Sequence, residues 1–403
     1  MLAALKRYPL QVNLLLSGAF LLTLGRAITL PYLVIYLSTQ FGLPVNHIGL
    51  VMGGALFGGS LLSLYGGFLI DRLPGFRLIL GFGSCFVAAF AGMLLTHQLW
   101  LFFLFLLGFN FAYSVTDVVV KTIFGRLLPA GEQGRAFSIR YTLINLAYAI
   151  GPFIGAGLAH WSLHLPFVLS ASLGIVFLLA FARYGDRNMR PAEGVAPPSF
   201  LAVMGVLAKD HRLMFFTIGG VLTAVVFGQF SAYLSQFLVA NGTAEYAYQV
   251  IQTLLGVNAV TVIALQYLLG KRIGNAHLQR WLIVGLGLFV LGIVGFGLSH
   301  SLVHWGLAMV VFTLGEIIVI PAEYMFIDRI APPHLRGVYY GTQNLANLGG
   351  AFGPILVGYF LALFAPHWVF VMLSAFIVGG GVFYVLGSRL SQRQADGVDL
   401  KSA

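Results

Sequence analysis

The sequence NLAYAIGP at residues 145–152 recurs half a chain length later as NLGGAFGP at residues 347–354. A motif repeated at this distance predicts two repeats of similar size. In membrane helices, small residues let backbones approach closely, and proline frees a carbonyl group and bends the helix. We therefore expect a conformational hinge in each copy, with ordinary small-residue packing as the alternative. The predicted hinge residues are Gly151, Pro152, Gly155, Gly353 and Pro354.

The composition is that of a membrane protein. The chain is 59% hydrophobic and 8% charged, which leaves too little polar surface for a soluble domain. Its apolar runs are long and continuous, so they predict helices that cross a bilayer roughly 30 Å thick and not the short alternating strands of a barrel. The twelve predicted crossings are 11–37, 47–70, 78–96, 99–123, 137–159, 165–183, 213–239, 247–269, 279–299, 303–327, 337–364 and 367–388.

Basic residues fix the predicted orientation. All but three of the 22 Lys and Arg lie in every second gap between apolar runs, so these gaps and both termini are expected in the cytoplasm. Anionic lipid headgroups account for the net charge of +10, and we expect no nucleic-acid partner. Cys85 is the single cysteine, and the histidine pairs lack a nearby carboxylate or thiol, so neither a metal site nor a cofactor is expected.

The polar stretch 184–212 predicts a cytoplasmic linker between six-helix bundles at 1–183 and 213–403. The predicted fold class is therefore an all-α membrane protein with twelve transmembrane helices in two pseudo-symmetric halves. An even number of crossings gives both halves the same orientation. A substrate site near the membrane midplane, where the halves meet, is the expectation for such a design.

Residues 67–77, GFLIDRLPGFR, resemble the loop signature of the major facilitator superfamily, although the usual second glycine comes one residue late. Residues 147–156 are similar to the Gly-Pro signature of its antiporters. Residues 24–31 and 312–328 resemble dipeptide and multidrug exporters of the drug:proton antiporter-1 branch. The resemblance implies a transporter of this fold that exchanges a small molecule for protons in the lipid bilayer as a monomer. The arginine common in the middle of the family's helix four is missing, so its proton-relay role is either unfilled or moved to Arg26 or Arg140.

The resemblance also implies that Asp71 and Arg72 form part of a cytoplasmic gate. Asp71 would accept hydrogen bonds from the N-terminus of a neighbouring helix or pair with a basic residue such as Arg135. Arg77 and Arg140 are assigned to the same gate, with ligand contact as an alternative for Arg140. The simpler alternative for the whole segment is a solvated turn.

Acidic residues in the crossings are the candidates for proton coupling. Glu316 and Glu323 lie two helical turns apart on one face of the tenth crossing. A carboxylate at that depth costs a few kcal/mol, so it should face the bundle interior or a water-filled cavity, where it can exchange a proton. Glu316 could instead form a permanent salt bridge with Arg26 or Arg140, and Glu323 could serve a gate or packing. Asp117 is a third candidate, or it simply neutralises Lys121 four residues later.

Arg26 lies deep in the first crossing without a local partner, so it could bind a substrate carboxylate or hold Glu316 in its charged form. An apolar, aromatic wall with a few polar anchors would suit a moderately hydrophobic substrate, although most aromatic side chains on membrane helices face lipid or a packed neighbour. The predicted substrate-binding residues are Arg26, Asn110, Tyr113, Gln229, Tyr233, Asn258 and Gln343.

These features predict a proton-coupled exporter of drugs, dipeptides or amino-acid metabolites that works by alternating access in the bacterial cytoplasmic membrane. A proton-coupled importer or a lipid flippase of the same fold is an alternative. A receptor or scaffold without transport is a second alternative, against which the cost of placing Glu316 and Arg26 in the membrane counts. No catalytic motif is found, so we do not expect an enzyme.

Overall fold

The computed structural model describes residues 8–43, 45–187, 189, 199–228, 230–241, 244–273 and 277–399, and this part of the chain is helical and without strands. Short turns separate most of the helices. In chain order they are α1 (Leu10–Phe41), α2 (Val45–Ile70), α3 (Gly75–Leu95), α4 (Leu99–Leu127), α5 (Ala130–Trp161), α6 (Leu165–Tyr184), α7 (Phe200–Lys209), α8 (His211–Phe227), α9 (Phe230–Asn241), α10 (Ala244–Gly270), α11 (Leu278–Gly297), α12 (Leu302–Ile330), α13 (Arg336–Gln343), α14 (Asn347–Leu363) and α15 (Trp368–Asp399).

The helix lengths confirm a multi-pass membrane protein. Within the described ranges, eleven spans are long and apolar enough to cross a bilayer, one of them formed by α13 and α14 together, and a twelfth results if α7 and α8, which meet at 81°, count as one span. The predicted seventh crossing, 213–239, falls on α8 and α9. Large apolar side chains such as Phe153, Leu179 and Val303 are exposed, as expected for surfaces that face lipid.

Local sequence accounts for several helix ends. Pro9, Pro74 and Pro129 stand immediately before α1, α3 and α5, where the fixed φ of proline suits a helix start and its missing N–H costs nothing. Asp210 caps α8 through its carboxylate, and Ser301 caps α12 through its hydroxyl.

The eleventh crossing differs from the single helix that the sequence predicts. Its first part, α13, is followed by a 3-10 turn at Asn344–Ala346 and then by α14. The equivalent segment of the first repeat lies inside the continuous helix α5. The two crossings that carry the repeated motif therefore differ: the first is one continuous helix, and the second is interrupted by a 3-10 turn.

The chain divides into two compact units. Unit 1 consists of Met1–Pro129, Ile139–Pro197 and Pro333–Asn344, and unit 2 consists of Ala130–Ser138, Pro198–Pro332 and Leu345–Ala403. Unit 1 thus contains α13, which comes from the second half of the sequence, and unit 2 contains the first turns of α5. The predicted boundaries at 1–183 and 213–403 remain a prediction.

Each unit has an aromatic core. In unit 1 the ring of Phe90 lies 4.9 Å from those of Phe86 and Phe109, which fastens α3 to α4. In unit 2 the ring of Phe312 lies 4.8 Å from Phe289 and 5.5 Å from Phe296, which fastens α12 to α11. These apolar contacts hold the helices that carry the polar residues described next.

Candidate functional site

Unit 1 holds a buried charge cluster on α4 and α5. The Asp117 carboxylate pairs with the Lys121 ammonium at 2.8 Å and also with the Arg140 guanidinium. Lys121 and Arg140 are each 2% exposed. The predicted pair of Asp117 and Lys121 is confirmed, and Arg140 joins it. The gate role of Arg140 remains a prediction. The role of Asp117 in proton coupling remains a prediction.

Lys121 is more than the partner of Asp117. Its ammonium donates to the side-chain oxygens of Gln343, at 3.1 Å, and Asn344, at 2.9 Å. Both acceptors lie at the end of α13, within unit 1. Gln343, predicted to bind substrate, is thus a ligand of Lys121, and the neutralised pair expected from sequence is in fact a link between α4 and α13.

Arg26 lies on α1 against aromatic residues of α4. Its guanidinium carbon is 4.7 Å from the ring centre of Tyr113 and 5.9 Å from that of Phe109. The Tyr113 hydroxyl is hydrogen-bonded to Thr23 at 2.8 Å. The Arg26 Nε group has no hydrogen-bond partner within the described part of the chain. Tyr113 and Arg26, both predicted to bind substrate, are therefore neighbours.

Asn110 makes its described contacts within unit 1. Its side-chain amide donates to the Leu106 carbonyl at 2.9 Å, one turn earlier in α4. A Cβ atom at Gly59 would lie 2.7 Å from the Asn110 Cβ, so the two residues mark a close approach of α2 and α4. Asn110 thus lies at a helix contact inside unit 1, and its role in substrate binding remains a prediction.

Asp71 caps the N-terminus of α13. Its two carboxylate oxygens accept hydrogen bonds from the backbone N–H groups of Gly337, at 2.9 Å, and Val338, at 3.0 Å. These are free N–H groups of the first turn of a helix, and the preceding residue, Leu335, has no side chain that could cap them. The predicted contact of Asp71 with a neighbouring helix N-terminus is confirmed.

The basic partner of Asp71 is Arg126 and not the predicted Arg135. The Arg126 guanidinium lies 2.9 Å from the carboxylate, because α4 packs beside α2 inside unit 1. Arg135 belongs to the part of α5 that lies in unit 2. Arg72 stacks its guanidinium over the Phe68 ring at 4.0 Å, and Arg77 is exposed at the start of α3.

Burial changes the titration of Asp71, which lies just beyond the spanning segment Leu50–Ile70. Loss of solvent raises the pKa of its carboxyl group from 3.8 to about 6, although the N–H groups of Gly337 and Val338 and the charges of Arg126 and Arg336 act to lower it. The carboxyl group therefore changes charge slightly below neutral pH.

Two further contacts hold α13 in unit 1. The Arg336 guanidinium donates to the Gly125 carbonyl at 2.7 Å. A Cβ atom at Gly67 would overlap the Gly337 carbonyl, so α2 and α13 touch through their backbones. Together with Asp71 and Lys121, these contacts fix both ends of α13.

The predicted hinge residues lie at close backbone contacts. A Cβ at Gly155 would overlap the Ile28 carbonyl of α1, and the Tyr32 hydroxyl donates to the Pro152 carbonyl at 2.8 Å. In unit 2, a Cβ at Gly353 would overlap the Val225 carbonyl of α8. Gly151 in α5 approaches α1 in the same way as Gly155, and Pro354 follows Gly353 inside α14. The hinge role itself remains a prediction.

Unit 2 holds its polar residues on α12. Glu316, at the middle of this helix, is 7% exposed. The Asn258 side-chain amide of α10 donates to its carboxylate at 2.8 Å and to the Thr313 hydroxyl at 3.0 Å. Tyr233 is fully buried within electrostatic range of Glu316. Gln229, the other candidate of this region, lies outside the described residues.

Glu323, two turns further along α12, is 3% exposed. The Tyr384 hydroxyl of α15 donates to its carboxylate at 3.2 Å and is itself 3.2 Å from the Thr223 hydroxyl of α8. A Cβ at Gly220 would lie 2.7 Å from the carboxylate oxygen, so the glycine leaves room for it. Glu323 thus joins three helices of unit 2.

Sequence reasoning missed Arg126, Arg336 and Asn344. The two arginines lie in basic gaps, where the orientation of the chain already explains their presence. One signal pointed to the arrangement: α13 begins after Leu335, without a capping side chain, so its first N–H groups need an acceptor from elsewhere. No group of three or more His, Cys, Asp or Glu that could hold a metal ion occurs in the described ranges.

Comparisons with known proteins agree with this fold. Residues 15–347 match the family model of the Major Facilitator Superfamily. The chain is 36% identical over 384 residues to the uncharacterized MFS-type transporter YdeE of Escherichia coli (strain K12), which covers 94% of this chain and 96% of the relative. It is 26% identical over 391 residues to the multidrug resistance protein MdtH of Shigella boydii serotype 4 (strain Sb227), which covers 94% of each. The crystal structure of the MFS transporter FucP in the outward conformation matches the fold with a TM-score of 0.77, at 13% identity, over 94% of this chain and 98% of that one.

Proposed function

Because the chain belongs to the major facilitator superfamily, we propose that it is a proton-coupled antiporter that exports small molecules from the cytoplasm. It is a transporter and not an enzyme. The proton coupling and the direction of transport are the parts that we propose. The name of the relative MdtH, a multidrug resistance protein, supports export.

The observation that carries the proposal is the position of Glu316. A carboxylate in the middle of a membrane-spanning helix is costly, and protonation removes most of that cost. The Asn258 amide, which donates to this carboxylate at 2.8 Å, stabilises the charged form without adding a charge. Such a group can bind a proton in one state of the transporter and release it in another. Glu316 is therefore the proposed proton carrier, and Glu323 a secondary one.

The driving force follows from the membrane potential. A proton that enters the cell yields roughly 2.3 kcal/mol per 100 mV, with any pH gradient added. Protonation can drive transport only if the two states of the transporter bind the proton with different affinity. In the proposed cycle, the polar residues of the units become accessible from one side of the membrane at a time. Release of α13 from Asp71 and Lys121 accompanies access from the cytoplasm.

We place the protein in the cytoplasmic membrane of a bacterium, with both termini in the cytoplasm. The basic gaps of the sequence support this orientation. The small-molecule substrate enters from the inner side, and the lipid bilayer is the other partner. We propose that the transporter works as a monomer, as the family usually does.

Proton movement in liposomes tests the proposal. The purified protein is reconstituted with a pH-sensitive dye inside the vesicles, and a panel is added that includes tetraphenylphosphonium, alanyl-alanine and 2-naphthoate. We expect at least one compound to move protons across the membrane. Glu316→Gln should abolish this response because an amide cannot carry the proton. Glu132→Gln, at an exposed carboxylate at the start of α5, is the matched control and should keep it.

Two outcomes would contradict the proposal. Transport of a panel compound by the unaltered protein without proton movement would exclude coupling. A full proton response in Glu316→Gln would exclude Glu316 as the carrier. Monodisperse elution of each variant in detergent shows that it is folded.

A further inference from the structure

The membrane-spanning part of unit 1 contains more positive than negative charge. Its crossings carry Arg26, Lys121 and Arg140 but only the carboxylate of Asp117. That carboxylate is bound to Lys121 and Arg140, and Lys121 also donates to side chains at the end of α13. Arg26 does not take part in this cluster through any contact described above. Charge inside a membrane is costly, so an excess cation there needs a function.

The guanidinium of Arg26 has a buried donor without a hydrogen-bond partner in the described residues. The rings of Tyr113 and Phe109 lie 4.7 and 5.9 Å from its guanidinium carbon, which engages the cation with aromatic groups that accept no N–H bond in the guanidinium plane. Its Nε–H has no hydrogen-bond partner within the described residues. A planar guanidinium supported on aromatic groups presents a fork of donors that fits a carboxylate in a bidentate manner.

Two residues near Arg26, Thr23 and Tyr113, also line a small cavity. A small cavity between α1 and α4 is lined by Thr23, Tyr113, Asp117 and Arg140 among apolar side chains. The hydroxyl groups of Thr23 and Tyr113 are bonded to each other at its wall. The wall of this cavity thus combines hydroxyl groups, the ion pair of Asp117 and Arg140, and an aromatic ring.

We propose that Arg26 binds the carboxylate of the transported molecule, with the molecule's apolar part against Tyr113 and Phe109. The substrate class is therefore organic monocarboxylates with an apolar or aromatic body. This inference rests on the proposed transport function, since it names the substrate of that function. A cationic substrate would instead meet a surface that already carries excess positive charge.

Binding to the full-length protein in detergent tests the inference. Three probes share one ring system and differ in charge: 2-naphthoate, 2-naphthamide and 2-naphthylmethylammonium. The midpoint of thermal unfolding is measured against the concentration of each probe. We expect 2-naphthoate alone to raise it, because ligand binding to the folded state stabilises that state.

Variants of Arg26 locate the binding group. Arg26→Gln is expected to weaken 2-naphthoate binding at least about tenfold, the loss of a charge-assisted contact. Arg26→Lys keeps the charge but not the planar fork, so its affinity for 2-naphthoate should lie between those of the unaltered protein and Arg26→Gln. This variant remains informative if Arg26→Gln does not fold. Arg183→Gln, at an exposed arginine near the end of α6 in the same unit, is the control and should bind 2-naphthoate normally.

Several results would overturn the inference. These are equal stabilisation by the amide or the ammonium probe, no stabilisation by any probe, and unchanged 2-naphthoate binding in both Arg26 variants. The measurement uses no membrane and no proton gradient, so it is independent of proton coupling. Binding of 2-naphthoate without proton movement in liposomes would contradict the proposed antiport alone. Proton-coupled transport of tetraphenylphosphonium without 2-naphthoate binding would contradict this inference alone.

Discussion

The membrane-spanning parts of the two units differ in the sign of their charge. Unit 1 carries three cations and pairs two of them with Asp117, whereas unit 2 carries Glu316 and Glu323. The Asn258 amide donates to the Glu316 carboxylate, and the Tyr384 hydroxyl donates to the Glu323 carboxylate. The contrast in charge supports the two proposals, proton exchange at Glu316 in unit 2 and recognition of an anionic substrate at Arg26 in unit 1.

The largest expected effect on stability comes from Asp117→Asn. This change removes the carboxylate that pairs with Lys121 and Arg140 and leaves two like charges together in a buried place. Removal of one partner from a buried ion pair costs about 3–5 kcal/mol of unfolding free energy. Thermal unfolding in detergent measures the loss as a lower midpoint.

Glu323→Gln is the matched change in unit 2. The new amide oxygen can still accept from the Tyr384 hydroxyl, so we expect a loss of about 1 kcal/mol or less. Similar losses for Asp117→Asn and Glu323→Gln would show that the ion pairs of unit 1 are no more important to stability than the neutral contacts of unit 2.

A smaller effect is expected where unit 1 holds α13 through backbone contact. Gly67→Ala would place a Cβ against the Gly337 carbonyl and push α13 away from α2, at a cost of roughly 1–3 kcal/mol. Gly53→Ala in the same helix meets no atom within 4 Å and should be neutral or slightly stabilising. The two variants are compared by thermal unfolding and by rate of transport. Equal behaviour would mean that the contact between α2 and α13 contributes little.

The sequence predicts much of this arrangement where the signal is local. Continuous apolar runs and basic gaps predict the helices and their orientation. The four-residue spacing predicts the pair of Asp117 and Lys121, and the seven-residue spacing places Glu316 and Glu323 together on α12. Each of these inferences needs only helical periodicity and the cost of charge in a membrane.

The remaining features depend on contacts between residues distant in sequence. Asp71 selects Arg126 over Arg135 because α4 packs beside α2, and no spacing rule contains that information. The sequence does not predict the break between α13 and α14 either. The matching segment of the first repeat lies inside the continuous helix α5, so the repeat indicates no break. Lys121 reaches Gln343 only because α13 belongs to unit 1.

The smallest expected effect is a pH dependence of the α13 contact. The pKa of Asp71 is about 6 when α13 is bound and should return toward 3.8 when α13 leaves and water enters. A carboxyl group with the higher pKa in the bound state holds its proton more tightly there. The contact is therefore strongest below the ordinary value and weakens as the pH rises through 6.

Hydrogen exchange of the Gly337 and Val338 amides measures this dependence, because both groups donate to Asp71. After correction for the intrinsic rate, exchange should slow by up to roughly tenfold per pH unit as the pH falls from about 6 to about 4, and it should change little outside that range. Asp71→Asn does not titrate and should give a flat profile. The Arg212 and Leu213 amides serve as an internal reference in unit 2, since their acceptor, Asp210, caps its own helix. A flat wild-type profile, like that of Asp71→Asn, would show that the α13 contact does not depend on protonation of Asp71. Glu316 and Glu323 in unit 2 would then be the remaining candidates for proton exchange.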